Sequence, residues 1–234
     1  MNPVGRDPLA GVAIAPAEAW QAPQLEALQV RCFPTLGAQE LMRAEHFLHH
    51  LAVFPEADLV AVARTAPDGR PLLEPQVVGL GSGFFVDFDF AHPGHTFREL
   101  IDDGWYGRHD PGGAWYYGAD VSVDPAWRGL GLGRRLYDAR KALVRKHGKR
   151  GIVAGGVLPG YAHHKHAMSA AAYVAKVVAG ELTDPTLTMQ LRNGFVVEGV
   201  LQGYLEDAAA DDWAALIVWR DPDFRSDGAA VRAP

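Results

Sequence analysis

Between Arg128 and Arg134 the chain reads Arg-Gly-Leu-Gly-Leu-Gly-Arg, with glycine at every second position. The run follows Val121-Ser122-Val123, an alternating stretch that stops at Asp124-Pro125, and it leads straight into a basic amphipathic segment. A strand that feeds a glycine loop opening a helix is suited to holding an anion. The first helical amides have no intrahelical acceptor, and the helix dipole is positive at that end. Glycine lets those amides approach a bulky anion and permits the dihedrals a cradle needs. Phosphate or pyrophosphate bound by Arg128, Gly129, Leu130, Gly131, Leu132, Gly133 and Arg134 is the chemistry this spacing predicts. Arg134 and Arg135 fall in the first helical turn, where cations oppose the dipole, and a bound polyanion would offset that placement. The later cations, Arg140 to Arg150, read mainly as solvation of an outer helix face.

Two familiar phosphate loops do not fit. No Gly-x4-Gly-Lys-Ser/Thr occurs. In a Gly-x-Gly-x-x-Gly reading that starts at Gly129, Arg134 stands where the third glycine must be. The remaining pattern is Arg-x-x-Gly-x-Gly after Val-x-Pro: Arg128, Gly131 and Gly133 after Val123 and Pro125.

The composition of the 234 residues, 48% hydrophobic and 21% charged, is that of an ordinary globular chain. The net charge of −6 argues against nucleic acid or an anionic membrane as partner. The charge is uneven, however: nine of the 22 Lys and Arg residues lie between Arg128 and Arg150, against one acid, Asp138. Such a local patch suits a small polyanion. Cys32 is the lone cysteine, so no intrachain disulfide forms and a cytoplasmic location is expected. No apolar run approaches the ~20 residues that span a bilayer.

The elements that position the loop follow from periodicity. A strand is predicted at Gly11–Ala15 and a helix from Ala17 to Cys32, with Trp20, Leu25, Leu28 and Cys32 facing inward. A second helix covers Ala38–Leu51, with Leu41, Phe47, Leu48 and Leu51 as its core face and His46, His49 and His50 turned to solvent. Strands at Asp58–Thr65 and Gln76–Val86 form an antiparallel hairpin around Pro67-Asp68-Gly69. Gly79, Gly81 and Gly83 in its second strand mark a closely approached or bulged backbone. Residues 87–113, with a helical turn at Thr96–Asp102, read as a lid or acceptor-site wall. Strand Trp115–Val123, the loop, helix Leu132–His147 and strand Ile152–Val157 make a βαβ crossover. Ser169 caps a helix to Ala179, Asp184-Pro185 starts another that ends at Asn193-Gly194, and Phe195–Tyr204 with Trp213–Trp219 closes the chain as a hairpin. One domain is expected over residues 10–220, with flexible ends at 1–9 and 221–234.

The Val123-x-Pro125 lead-in, the loop and this element order resemble the GNAT superfamily of acyl-CoA-dependent N-acyltransferases. Gly155-Gly156, Pro159-Gly160-Tyr161, Tyr173-Val174 and Asp184-Pro185 through Gly194-Phe195 resemble GNAT domains often fused to carbon–nitrogen hydrolase (nitrilase-like) domains. The resemblance implies an α/β (α+β) fold with a mixed central sheet of about seven strands flanked by helices. It implies N-acetyl transfer by direct attack of a primary amine, with acetyl-CoA or another acyl-CoA as co-substrate and no metal. The pyrophosphate would lie on the Gly129–Arg134 amides and the pantetheine arm along Val121 and Val123. An amide near Val123 would receive the thioester carbonyl.

Many members place a proton-donating tyrosine where this chain has Gln190, so Tyr161, Tyr173 or a water is a candidate replacement. Asp120, on the strand before the loop, is the first candidate base, and His163 follows the strand that diverges in this fold. The acids and aromatics of 87–113 suit a small cationic acceptor, and a peptide or protein amine is the other acceptor class. Expected partners are that amine and, as open alternatives, a second copy or a nitrilase-like enzyme. The rival reading is a non-catalytic acyl-CoA-binding module that regulates such an enzyme.

Overall fold

The computed structural model describes residues 7–225. The outermost residues of both expected flexible ends, 1–6 and 226–234, lie outside that range. Seven strands form one sheet: β1 (Val12–Pro16), β2 (Asp58–Thr65), β3 (Pro71–Val86), β4 (Trp115–Val123), β5 (Gly151–Val157), β6 (Val196–Leu201) and β7 (Ala214–Arg220). Their spatial order is β1-β2-β3-β4-β5-β7-β6. Every neighbouring pair is antiparallel except β4 and β5, which are parallel, as a strand–helix–strand crossover between neighbours requires. The expected mixed sheet is therefore present.

Among the described residues, six α-helices flank it: α1 (Ala22–Cys32), α2 (Ala44–Val53), α3 (Phe97–Ile101), α4 (Leu132–Lys146), α5 (Ala170–Val178) and α6 (Leu187–Arg192). Leu132 and Leu136 of α4 pack with Val121 and Val123 of β4 on one face of the sheet. On the other face, Leu25 and Leu28 of α1 join the main core. The glycines of β3 are explained by α4 at Gly79 and Gly81 and by β4 at Gly83. A Cβ at Gly79 would meet Leu136 at 3.1 Å, one at Gly81 would meet Arg140 at 3.1 Å, and one at Gly83 would collide with the Tyr117 carbonyl and the Tyr116 ring.

Several sequence expectations fail for identifiable reasons. Pro23 delays α1, a short 3-10 turn occupies Ala19–Gln21, and Trp20 is 46% exposed rather than core. The helix expected over Ala38–Leu51 breaks at Leu41, so α2 starts at Ala44 and rotates Leu48 out to 48% exposure. The same rotation turns His46 and His50 inward. His50 lies between the Asp58 carboxylate (3.0 Å) and the Gly104 carbonyl (2.7 Å), and its ring stacks on Tyr106 at 3.7 Å. Ser82 bridges Asp58 and Tyr106, which ties residues 102–106 to the core. Arg140 is not a solvation charge. It is buried, its Nη2 donates to the Ser82 carbonyl at 3.2 Å, and its guanidinium lies over Tyr116 and Tyr137. At the chain's far end, the Asp221 carboxylate pairs with Arg145 at 3.0 Å, which anchors the start of the expected tail.

Candidate active site

The glycine loop forms as its sequence implies. Asp124 accepts from the Ala126 amide to begin a 3-10 turn over Pro125–Trp127, and Gly131 caps α4 with φ 90°. Gly129, at φ 76°, also needs the left-handed region that glycine enters at no steric cost. Among the described residues, the amides of Gly129 to Arg134 donate to no protein acceptor. A Cβ at Gly129 or Gly131 would meet nothing within 4 Å, so the cradle is open where an anion must approach. These residues fit a pyrophosphate. Arg134 is exposed beside the loop, 4.0 Å from Asp138. Arg135 is engaged elsewhere, its guanidinium donating to the carbonyls of Leu9 and Val12 at the start of β1.

From the loop, an open strand edge leads inward. Beyond Tyr117 and Val153, β4 and β5 no longer pair. The Asp124 amide donates to Val78 while Gly79 faces Val123 in register. In an antiparallel ladder this makes Gly79–Val123 and Gly81–Val121 non-hydrogen-bonded pairs. The N–H and C=O of Val121 and Val123 therefore point away from β3, into the gap left by β5. Side chains approach the Val123 carbonyl on that side: Arg128 Nε at 3.1 Å and Cys32 Sγ at 3.3 Å.

At the inner end of the gap lies Asp120. The register of β3 on β4 slips between Ser82 and Gly83, inserting Ala119 as a bulge residue. Without that extra residue Asp120 would share the α4 face with Gly118, whose missing Cβ makes room for Arg140. With it, Asp120 faces α1. Its carboxylate accepts from Gln29 Nε2 and Ser122 Oγ, both at 2.8 Å. Burial at 6% exposure pushes the Asp120 carboxyl from its ordinary 3.8 up to about 6, against the pull of these two donors and of Arg140. Asp120 and Gln29 line a cleft together with Phe33, Glu40, Gly155 and Tyr204.

The other candidates lie elsewhere. Tyr161 donates its hydroxyl to the Met168 carbonyl at 2.9 Å, and His163 is exposed; neither lines this cleft. Tyr173 donates to Asp184, where burial and that carboxylate hold its phenol well above the usual range. Gln190 faces β5: a Cβ at Gly156 would meet its Oε1 at 2.5 Å, and that oxygen has no partner among the described residues. Two cleft residues carried no signal at the sequence level, Glu40 and Tyr204. His95 must donate from Nδ1 to the Pro93 carbonyl (2.7 Å), and burial keeps its pKa low, so Nε2 accepts from Tyr117. Tyr117 then accepts from Tyr204 at 2.6 Å. Tyr204, which also lines the cleft, therefore has no proton to offer there. Gln29 did carry a signal, since it shares a helix stripe with Leu25, Leu28 and Cys32, where a polar residue needs a buried partner.

Residues 22–165 match the acetyltransferase (GNAT) family. The chain belongs to that family. It is 32% identical over 199 residues to the uncharacterized N-acetyltransferase YkwB of Bacillus subtilis (strain 168), covering 85% of this chain and 84% of that one. It is 34% identical over 198 residues to the probable hydrolase YhcX of the same organism. That match covers 84% of this chain but only 36% of YhcX, so the chain spans about a third of that relative's length. Among solved structures, the loading GNATL domain of CurA from Lyngbya majuscula superposes with a TM-score of 0.73 at 19% identity, over 89% of this chain and 97% of that one. The GphF GNAT-like decarboxylase in complex with isobutyryl-CoA gives 0.70 at 24% identity, over 89% and 98%. The yncA protein of Salmonella typhimurium with its cofactor acetyl-CoA gives 0.55 at 14% identity, over 93% and 99%. At these identities the likeness is one of fold. Among the described residues of this GNAT chain, no helix is long and apolar enough to cross a membrane, and no group of three or more His, Cys, Asp or Glu could hold a metal ion.

Proposed function

We propose that this GNAT chain transfers an acetyl group from acetyl-CoA to a primary amine by direct attack, with Asp120 as the base. The observation that carries the reading is the continuity of three features: unpartnered amides at Gly129–Arg134, an open β4 edge at Val121 and Val123, and a buried carboxylate at its inner end. Acetyl-CoA supplies the activated carbonyl. The loop amides hold its pyrophosphate, and the Val121 or Val123 amide faces the position where an oxyanion develops. The amine nitrogen bonds to the carbonyl carbon, the carbon–sulfur bond breaks, and the amine's proton passes to Asp120. A carboxylate raised to about 6 is ionised at neutral pH yet more basic than an ordinary aspartate. Gln190 offers no ionisable proton, so the departing sulfur is protonated by solvent or leaves as thiolate.

A cytoplasmic location and a small-molecule acceptor belong to the same proposal. The second reading, an acyl-CoA-binding module that regulates a nitrilase-like partner, draws on Gln190 and on a hydrolase-named relative that extends well beyond the match. Free-CoA release with a panel of amines, amino acids and peptides separates the two. Amine-dependent release supports the transferase. Acetyl-CoA binding with no release on any acceptor overturns it in favour of the binding module.

A further inference from the structure

The cleft that holds Asp120 shares three lining residues, Glu40, Tyr204 and Leu205, with a second hollow at the surface. Glu40, Glu99, Asp103, Glu206 and Asp212 line that hollow against, among the described residues, a single cation, Arg98, which is itself paired with Asp103. Acids at a surface are ordinarily solvated and select nothing. Glu40 differs. It is only 6% exposed, it lines both hollows, and its Oε1 accepts from the Glu206 amide at 3.2 Å. Its other oxygen, Oε2, is buried and has no partner among the described residues. A buried carboxylate oxygen left unpaired is costly, so an N–H donor brought to it would be held strongly.

The rest of the wall narrows the choice of donor. Tyr204 gives its proton to Tyr117, because the hydrogen-bond chain through Tyr117 and His95 fixes its direction, so it offers the cleft no donor. Asp120 at the inner end is a second acceptor carboxylate. Such a lining rejects carboxylates and phosphates and welcomes N–H groups, and a unit positive charge would answer Glu40.

We propose that the acceptor is a diamine: one amino group reacts beside Asp120 while a second, remaining an ammonium, binds the Glu40 carboxylate. This rests on the transferase reading of the same cleft and adds to it a substrate class and a residue that selects it. Glu40 here binds the non-reacting end and takes no part in bond making.

The test compares 1,4-diaminobutane with n-butylamine, which matches it in reach but lacks the second charge. Binding to protein saturated with free CoA is measured by calorimetry, and acetyl transfer is measured in parallel. The wild type should prefer the diamine by about tenfold or more in affinity and in KM, with a much smaller effect on kcat. Glu40→Gln keeps the oxygen that accepts from Glu206 and should bring the two amines within about twofold. Its melting temperature is checked, and Glu40→Ala carries the same comparison should the first variant not fold. Equal affinity of the wild type for both amines overturns the proposal, as does a preference that survives in a folded Glu40 variant. Preferential diamine binding without acetyl transfer would leave the cation site standing and overturn the transferase reading instead.

Discussion

Replacing Asp120 with Asn removes a charge while keeping the shape, and its consequence for stability can be worked out. The carboxyl rises from 3.8 to about 6 because the fold buries it. At ~1.4 kcal/mol per pH unit, ionising it in the native state costs roughly 3 kcal/mol more than ionising it in the unfolded chain. The folded value is the higher one, so native stability is full below 3.8 and falls as pH rises through about 6. Asn does not titrate, and its hydrogen bonds can be met. Gln29 Oε1 already accepts from the Met42 amide at 2.7 Å, which fixes Gln29 Nε2 as the donor toward position 120. Asn Oδ1 can take that bond, while its amide donates to a rotated Ser122 hydroxyl. Asp120→Asn should therefore be more stable than wild type by about 1–3 kcal/mol at neutral pH. The gain should shrink as pH falls through about 6 and vanish towards 3.8. The same variant should lose acetyl transfer by ~100-fold or more, with acetyl-CoA affinity retained. Urea unfolding across this pH range, with turnover measured on the same samples, tests both halves. A stability difference independent of pH would refute the buried, ionised carboxylate, and undiminished turnover would refute its role as base.

Other perturbations bear on the same framework. Arg140 favours the charged form of Asp120, so Arg140→Met should move the acidic limb of the pH–rate profile upward from about 6. It should also destabilise the fold by about 2–4 kcal/mol in chemical denaturation, since a buried, hydrogen-bonded cation is lost; an unmoved limb would disconnect Arg140 from the site. Gly83→Ala should cost about 1–3 kcal/mol because its Cβ would collide with the Tyr117 carbonyl and the Tyr116 ring, and a neutral result would contradict the β3–β4 register. Arg135→Ala should leave acetyl-CoA affinity within about twofold, because its guanidinium serves the β1 carbonyls and a contribution to phosphate binding is not expected.

The readable parts of the sequence were those set by local chemistry. Val123-x-Pro125 and the alternating glycines specify a strand, a turn and a helix start within a few residues of one another, and β4 and α4 lie where they were expected. The β3 glycines were legible as a closely approached backbone, although nothing in sequence said that Leu136 and Arg140 do the approaching. Misreadings arose where tertiary contacts override local pattern. His50 looks like a surface residue until Asp58 and the Gly104 carbonyl arrive from two other segments. Arg140 looks like one more charge on a basic helix until Gly118 leaves it space inside. The alternating pattern places Asp120 on β4, but the Ala119 bulge that aims it at α1 has no sequence signature. Glu40 and Tyr204 reach the same cleft from distant parts of the chain, a juxtaposition that spacing cannot reveal.

The most direct measurement is the melting temperature with acetyl-CoA, for wild type and for Gly131→Val. At a ligand concentration about 100-fold above Kd, the wild type should gain about 2.7 kcal/mol, or roughly 5–10 °C. ATP and NAD should give no comparable shift. In Gly131→Val the new side chain occupies the open side of the cradle, on a residue whose φ of 90° suits glycine, and the acetyl-CoA shift should disappear while the variant still unfolds cooperatively. A full shift in that variant, or none in the wild type, would contradict the assignment of Arg128–Arg134 as the loop that holds acyl-CoA.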